Sequence, residues 1–282
     1  MSATQQDAFT LVQGLAADLS AGEIRLPSLP RTVVRVRNAL SKPDFSAAEL
    51  ARLVGAEPAL AGAILSMANS MTFRRAGRET TDLTVAISRV GAGMVQAAAM
   101  SFALRQLRAG AAFKQVEHLL APEWRCSARV AAACFALARA SRRAKQEEAM
   151  VVGLIHNVGR IYLYSRAADY PTVFDSEDSL HALVEHWHPG VARAIVESWQ
   201  LPAEAAEAVA HQEDASDAGN PFPMLDLLTL ARALEEAPVP LVEDTASALA
   251  NRADARRLGL NASVLREHAD VLEETRQALG LG

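Results

Sequence analysis

Four side chains of this sequence could together hold a metal ion. The set supplies one sulfur and three imidazole nitrogens, from Cys126, His156, His188 and His211. Such a set is compatible with tetrahedral zinc. The four residues fall on separate predicted helices, and they form none of the short Cys-x-x-Cys or His-x-x-x-His pairs that would support a zinc site. Zinc binding is therefore kept as an alternative, and we expect no bound metal and no other cofactor.

A second group of residues resembles a DNA-binding element. Residues 48–55 and 58–69 have the pattern of a helix-turn-helix, but the second segment is almost entirely small or apolar before its last residue, Asn69. A recognition helix needs Arg, Lys, Asn or Gln side chains that reach bases and phosphates, so this segment is predicted to be buried. Three arginines follow in a polar loop: Arg74, Arg75 and Arg78. They are more typical of a solvated surface, and DNA binding is the less favoured alternative.

The elements that must position these residues are predicted to be α-helices. A stripe at helical spacing is clearest in Val151, Val152, Leu154, Ile155, Val158, Ile161 and Tyr162. Because no convincing run of strict apolar and polar alternation occurs, no β-sheet is predicted. Ser46 and Glu49 form a capping box, which predicts a helix beginning at Ala47. Prolines are expected to separate the remaining helices, at Pro30, Pro43, Pro58, Pro122, Pro171, Pro189, Pro202 and Pro221.

Composition and charge indicate a globular protein of the cytoplasm. Of the 282 residues, 50% are hydrophobic, and the net charge of −5 comes without a basic tail, so general nucleic acid binding is not expected. Cys126 and Cys134 are spaced as on one face of a helix, which suits a reducing compartment. The first residues lack the features of a signal peptide. The longest charge-free apolar stretch, residues 90–104, is too short and too interrupted by Gly and Gln to cross a membrane.

An ordered series of motifs resembles the HDOD family. The series begins with Leu-Pro-Ser-Leu-Pro at 26–30, Pro-Asp-Phe-Ser-Ala-Ala-Glu-Leu-Ala at 43–51, Glu-Pro-Ala-Leu-Ala at 57–61 and Leu-Ser-Met-Ala-Asn-Ser at 65–70. It continues with Ala-Ile-Ser-Arg-Val-Gly at 86–91, Gly-Leu-Ile-His-Asn-Val-Gly-Arg at 153–160 and Trp-Gln-Leu-Pro at 199–202. The set as a whole is far more specific than any single motif.

The resemblance implies an all-α, multi-helical bundle in three parts. An N-terminal helix occupies residues 1–22. An HDOD domain follows at 23–236, with an N-terminal helical part at 23–110 and an HD-like part at 111–236. C-terminal helices at 237–282 pack back on this core.

The HDOD family is similar to HD phosphohydrolases, in which histidines and aspartates on separate helices bind one or two divalent metals. By this likeness the four ligand positions fall on Cys126, His156, Asn157 and Arg232. A neutral amide and a guanidinium then replace two carboxylates, so hydrolysis is not expected, although residual HD-type phosphohydrolase activity is kept as an alternative. We expect Arg232 to act as a plug that bonds to Asn157, a backbone carbonyl or a carboxylate. Arg160, His188 and His211 also fall near this vestigial site, and all three are expected at helix ends or on the surface.

The family resemblance implies a non-enzymatic regulatory module of bacterial signal transduction. It would act through protein–protein interaction, with another signalling protein as the expected partner and a homodimer as an alternative. No membrane partner is expected.

Overall fold

All regular structure in the described part of the chain is α-helical, as predicted. The computed structural model describes residues 29–42, 44–74, 78–108, 116–167, 177–214, 221–238 and 240–278, with positions 14 and 114. In chain order its helices are α1 (Arg31–Leu40), α2 (Ala47–Gly55), α3 (Pro58–Asn69), α4 (Met71–Arg74), α5 (Leu83–Val90), α6 (Ala92–Arg108), α7 (Glu117–Ser141), α8 (Gln146–Ile155), α9 (Val158–Ala167), α10 (Glu177–Ser198), α11 (Ala203–Ala210), α12 (Pro223–Glu236), α13 (Glu243–Ala250), α14 (Ala253–Leu258) and α15 (Ala262–Ala278). The expected N-terminal helix at 1–22 lies outside the described residues, apart from position 14.

Helix α2 begins where its sequence predicts. Ser46 is the N-cap, and its Oγ accepts a hydrogen bond of 3.1 Å from the backbone N–H of Glu49. The second half of the capping box is absent, because the Glu49 carboxylate instead accepts a 2.9 Å bond from Lys42 Nζ. The N-terminus of α2 is therefore held by the serine alone.

Prolines mark helix starts at some positions and not at others. Pro30 and Pro202 are the N-caps of α1 and α11, and Pro58 is in the first turn of α3. Pro122 and Pro189 lie inside α7 and α10, so the prediction that they separate helices is wrong. Both helices bury apolar side chains on either side of the proline, and this packing outweighs the hydrogen bond that an internal proline removes.

The N-terminal part of the bundle is organised around α3, which packs against α5 and α6. Leu60, Ile64 and Met67 are buried at helical spacing, so the helix presents its apolar face to the core as predicted. Leu65 of the same helix is only half-buried, because it lies about 100° around the helix from Ile64.

The two leucines of α3 provide a direct test of this packing. Leu60→Ala should lower the free energy of unfolding by about 2–5 kcal/mol, since a fully buried side chain leaves a cavity. Leu65→Ala should lower it by less, because part of that side chain already contacts water. Urea denaturation of both variants measures the difference, and an equal loss would contradict the burial of Leu60.

Helix α7 is the central helix of the second half. It packs against α8, α12 and α15, while α9 packs against α10 and α10 against α11. The C-terminal helices are joined to the core by buried polar contacts. Arg257 donates to both oxygens of Asp226, and Thr229 donates a 3.0 Å bond to Asp254.

No single helix among the described residues has both the length and the apolar character needed to cross a membrane. Helices α5 and α6 are long and apolar enough only when they are taken together, and the chain bends by 106° between them.

Candidate functional site

Two glycines place the motif at 153–160 against its neighbouring helices. A Cβ atom at Gly153 would lie 2.6 Å from Ala131 Cα, so α8 touches the backbone of α7 at this point. A Cβ atom at Gly159 would lie 2.1 Å from the carbonyl oxygen of His188, so α9 touches the backbone of α10 in the same way. The residues between the two glycines are thereby held between α7 and α10.

His156 follows α8 and is fully buried. Its Nδ1 lies 2.7 Å from the Gly153 carbonyl oxygen, which can only accept, so Nδ1 carries the proton. Burial and the nearby Arg232 lower the pKa of His156 to about 3, although the bond to Gly153 opposes this shift. The imidazole is therefore neutral at physiological pH, and its Nε2 can accept a hydrogen bond from the Cys126 thiol, whose Sγ lies 3.9 Å away.

Cys126 and Asn157 complete the inner face of the site. Burial, together with the carboxylates of Glu235 and Glu123, raises the pKa of the Cys126 thiol to about 11, although Asn157 bonds to it and opposes this shift. The Sγ atom also lies 3.9 Å from Glu235 Oε2. Both side chains are uncharged at neutral pH, and the Asn157 amide offers only a neutral oxygen where the divalent metal of an HD site would take a carboxylate.

Arg232, on α12, projects towards the segment that follows α11. It donates to the carbonyl oxygen of Gln212 and to both carboxylate oxygens of Glu213, at 2.8 and 2.9 Å. Of the partners expected for Arg232, the structure thus contains a backbone carbonyl and a carboxylate. Gln212 in turn donates a 2.9 Å bond to the carbonyl oxygen of His156, which connects the Arg232 contacts to the buried imidazole.

Arg160 lies on the same side of the site. The sequence interpretation placed it at a solvated helix end, but only 11% of its side chain is exposed. It donates to both oxygens of Glu185 and, at 3.1 Å, to Glu213. The interpretation failed because the close approach of α9 and α10 at Gly159 brings Arg160 against the acidic side chain of α10.

Glu213 is the centre of this cluster, although no sequence motif includes it. Its carboxylate contacts Arg160, Arg232 and, at 3.1 Å, Nε2 of His188. Burial acts to raise the pKa of Glu213, but His188 and Arg232 together hold it well below its ordinary value. Neither Glu213 nor Glu185 stands at a motif position, and the only sequence signal is that Glu213 closely follows His211.

His188 and His211, the other two histidines considered as possible ligands, have different environments. His188 is fully buried within α10, so the expectation of a helix-end or surface residue is wrong for it. His211 ends α11 with nearly half of its side chain exposed, and it contacts Asp214 at 2.9 Å and Glu207 at 3.4 Å. Within the described ranges, no group of three or more His, Cys, Asp and Glu side chains could hold a metal ion.

The site does not suit the divalent metal of HD phosphohydrolases. The Cys126 thiol and the Asn157 amide are neutral, while the guanidiniums of Arg160 and Arg232 meet at Glu213 beside them. These fixed positive charges would repel a dication at a position where the inner ligands cannot compensate for it.

The chain is similar to several known proteins. A family model described as HDOD domain matches residues 26–215. An uncharacterized protein of Treponema pallidum (strain Nichols) is 22% identical over 201 residues, which are 67% of this chain and 37% of that protein. The chain thus spans little more than a third of the length of this relative.

Two solved structures share the fold. A candidate metal-dependent phosphohydrolase from Shewanella amazonensis SB2B has 23% identity and a TM-score of 0.74, and the match covers 96% of this chain and 99% of that chain. A candidate signal transduction protein from Marinobacter aquaeolei VT8 has 22% identity and a TM-score of 0.61, with 99% and 64% covered. The predicted HD-like helical fold is confirmed by these likenesses.

Proposed function

This chain belongs to the HDOD domain family, and on that premise we propose that it is a regulatory module of signal transduction that does not hydrolyse phosphate esters. The cluster around Glu213 carries the proposal. Two arginines and a buried histidine surround one carboxylate, and Arg232 is one of the positions that the resemblance assigns to the metal ligands of HD phosphohydrolases. The site is thus occupied by its own ion pairs, and they serve as structure in place of catalysis.

Residual phosphohydrolase activity is the principal alternative, since one neighbour in fold is named a candidate metal-dependent phosphohydrolase. With Mn²⁺ present, we expect the purified protein to turn over nucleotides and cyclic dinucleotides no faster than its His156→Gln variant. Phosphate release measured on both proteins tests this expectation. Turnover that disappears in the variant would overturn the proposal.

Metal binding is tested separately by calorimetry. Asn157→Asp alone should bind neither Mn²⁺ nor Zn²⁺ tightly, because Arg232 and Arg160 remain and the new carboxylate can pair with a guanidinium. The combined variant Cys126→His, Asn157→Asp and Arg232→Asp should bind metal if the backbone retains the geometry of an HD site. Tight binding by the single variant would show that the arginines do not block the site.

DNA binding is less well supported, because the expected contact residues are engaged elsewhere. The Asn69 amide donates to the carbonyl oxygen of Thr80 and accepts from its N–H, each at 2.9 Å. Arg74 pairs with Glu79 at 3.1 Å. Asn69 therefore fastens the segment before α5 to the end of α3.

Another signalling protein is the partner that we propose, and exposed apolar side chains favour a protein contact. Helix α4 packs against α5, and each helix presents a large apolar residue to solvent, Met71 with 81% and Val85 with 45% of its surface exposed. A protein captured from native cell extract should be lost when Met71 and Val85 are both replaced by glutamate. Sedimentation of the purified protein measures its oligomeric state and so distinguishes a homodimer from a complex with another protein.

A further inference from the structure

A cavity whose lining includes no residue of the Glu213 cluster lies between α6 and α7. It has a volume of about 260 Å³ and is formed by the C-terminal end of α6 and the N-terminal half of α7, with contributions from α8 and α15. The cavity belongs to no part of the vestigial site. Its nearest connection to that site is Glu235, which contacts Cys126 with one oxygen and Arg129, on the cavity wall, with the other.

The charge of this cavity is entirely positive. Every charged residue that lines it, within the described residues, is an arginine: Arg105, Arg108, Arg125, Arg129 and Arg276. Two of them are paired with carboxylates outside the lining, Arg108 with Glu117 and Arg129 with Glu235. An enclosure lined by several guanidiniums strongly favours an anion, and guanidinium geometry matches phosphate oxygens in particular.

Arg105 is the most enclosed of these arginines. Its guanidinium donates a 3.1 Å bond to Ser101 Oγ, one turn earlier on α6. Burial lowers the pKa of Arg105, which means that its charged form is poorly solvated. An anion bound nearby would stabilise this charged form.

Two buried polar atoms on the α7 wall have no hydrogen-bond partner among the described residues. They are the Ser127 hydroxyl, in a residue with only 2% of its surface exposed, and Nε1 of Trp124. Buried polar groups are nearly always hydrogen-bonded, so two unpartnered atoms in one cavity indicate a missing partner. A ligand with polar atoms beyond its phosphoryl group would supply one.

The rest of the wall is apolar and limits the size of the ligand. Leu104, Ala128, Leu154 and the Trp124 ring form it. At about 30 Å³ per water molecule, the cavity has room for several times the volume of inorganic phosphate. It is close to the lower end of the roughly 300–1,000 Å³ range of small-molecule sites, so a dinucleotide would not fit.

We propose that this cavity binds a phosphate monoester that carries a flat ring, of nucleoside monophosphate size. The arginines hold the phosphoryl group, the ring packs on Trp124 and the leucines, and Ser127 donates to a polar atom of the ligand. This site goes beyond the proposed regulatory role, because binding is expected whether or not a protein partner is present.

Calorimetry of the full chain with AMP, GMP, CMP and UMP tests the proposal. At least one of the four should bind, with inorganic phosphate and adenosine as weaker comparison ligands. Ser127→Ala should weaken the binding about two- to tenfold, since a hydrogen bond between uncharged groups is worth a factor in this range. Arg125→Gln, at an exposed position of the rim, should weaken it similarly, whereas Arg52→Gln, an exposed arginine outside the cavity, should not.

The Ser127→Ala variant also controls for folding. Because the hydroxyl has no partner in the free protein, its removal should leave the thermal unfolding midpoint unchanged or raised. Three results would each overturn the proposal: no binding by any of the four nucleotides, equally tight binding of inorganic phosphate, or unchanged nucleotide affinity in both cavity variants.

Discussion

Replacing Gly159 with alanine should destabilise the protein severely. The new Cβ atom would lie 2.1 Å from the carbonyl oxygen of His188 and 2.9 Å from the backbone nitrogen of Ala192. Both are backbone atoms of α10, so the clash cannot be relieved by a side-chain rotation. We expect a loss at the top of the range of about 1–3 kcal/mol that is usual for overpacking, or above it. Chemical denaturation measures this loss.

Gly190 provides the control, because it lies on α10, the helix that Gly159 contacts, with nothing within 4 Å of its Cβ position. Gly190→Ala should stabilise the protein by about 0.4–1 kcal/mol, since alanine has less conformational freedom in the unfolded chain. If both variants lost the same stability, the close approach of α9 and α10 would not be the cause.

Acid should destabilise the protein well above the pH at which carboxylates are protonated. The pKa of His156 is about 3 in the folded protein, with burial as the main cause, against about 6.5 in an unfolded chain. Below about pH 6.5 the unfolded chain therefore binds a proton at His156, whereas the folded protein binds this proton only near pH 3. The stability contributed by the neutral imidazole is complete above about pH 6.5 and decreases as the pH falls. For this residue alone we expect a loss of about 2 kcal/mol between pH 7.5 and pH 5.

His188 adds to this effect, because burial lowers its pKa as well, although Glu213 opposes the shift. Urea denaturation at several pH values between 5 and 6 gives the slope of stability against pH. His156→Gln should reduce that slope by about 1.4 kcal/mol per pH unit, the value for one proton. Gly190→Ala provides the control, since it removes no titratable group and should leave the slope unchanged. A slope in the His156 variant as steep as in the unaltered protein would refute the burial of a neutral imidazole.

Local sequence signals were sufficient for the helical class and for some helix boundaries. The Ser46 cap and the spacing of Cys126 and Cys134 follow from short-range geometry, which is the same in almost any helical protein. Prolines were less informative. Pro122 and Pro189 lie within helices because tertiary packing on both sides of each proline outweighs a local preference.

The candidate site was less predictable than the fold. The structure places Cys126, His156 and Asn157 together, and their motif positions had suggested this. The roles of Arg160 and Glu213 depend on tertiary contacts among three helices and the segment after α11. These contacts cannot be predicted from residue spacing in the sequence. A charged residue next to a motif was taken as solvated because most charged residues are.

The shared carboxylate of Glu213 also bears on the evolution of the site. Arg232→Asp by itself would leave two carboxylates facing each other with only Arg160 and a neutral histidine nearby. Asn157→Asp by itself would add a ligand where no metal is yet held. Each single reversal thus lowers fitness or changes nothing until the others are present, and this epistasis acts as a ratchet. Under the proposed regulatory role, selection for stability alone would then keep an HD-type metal site from forming.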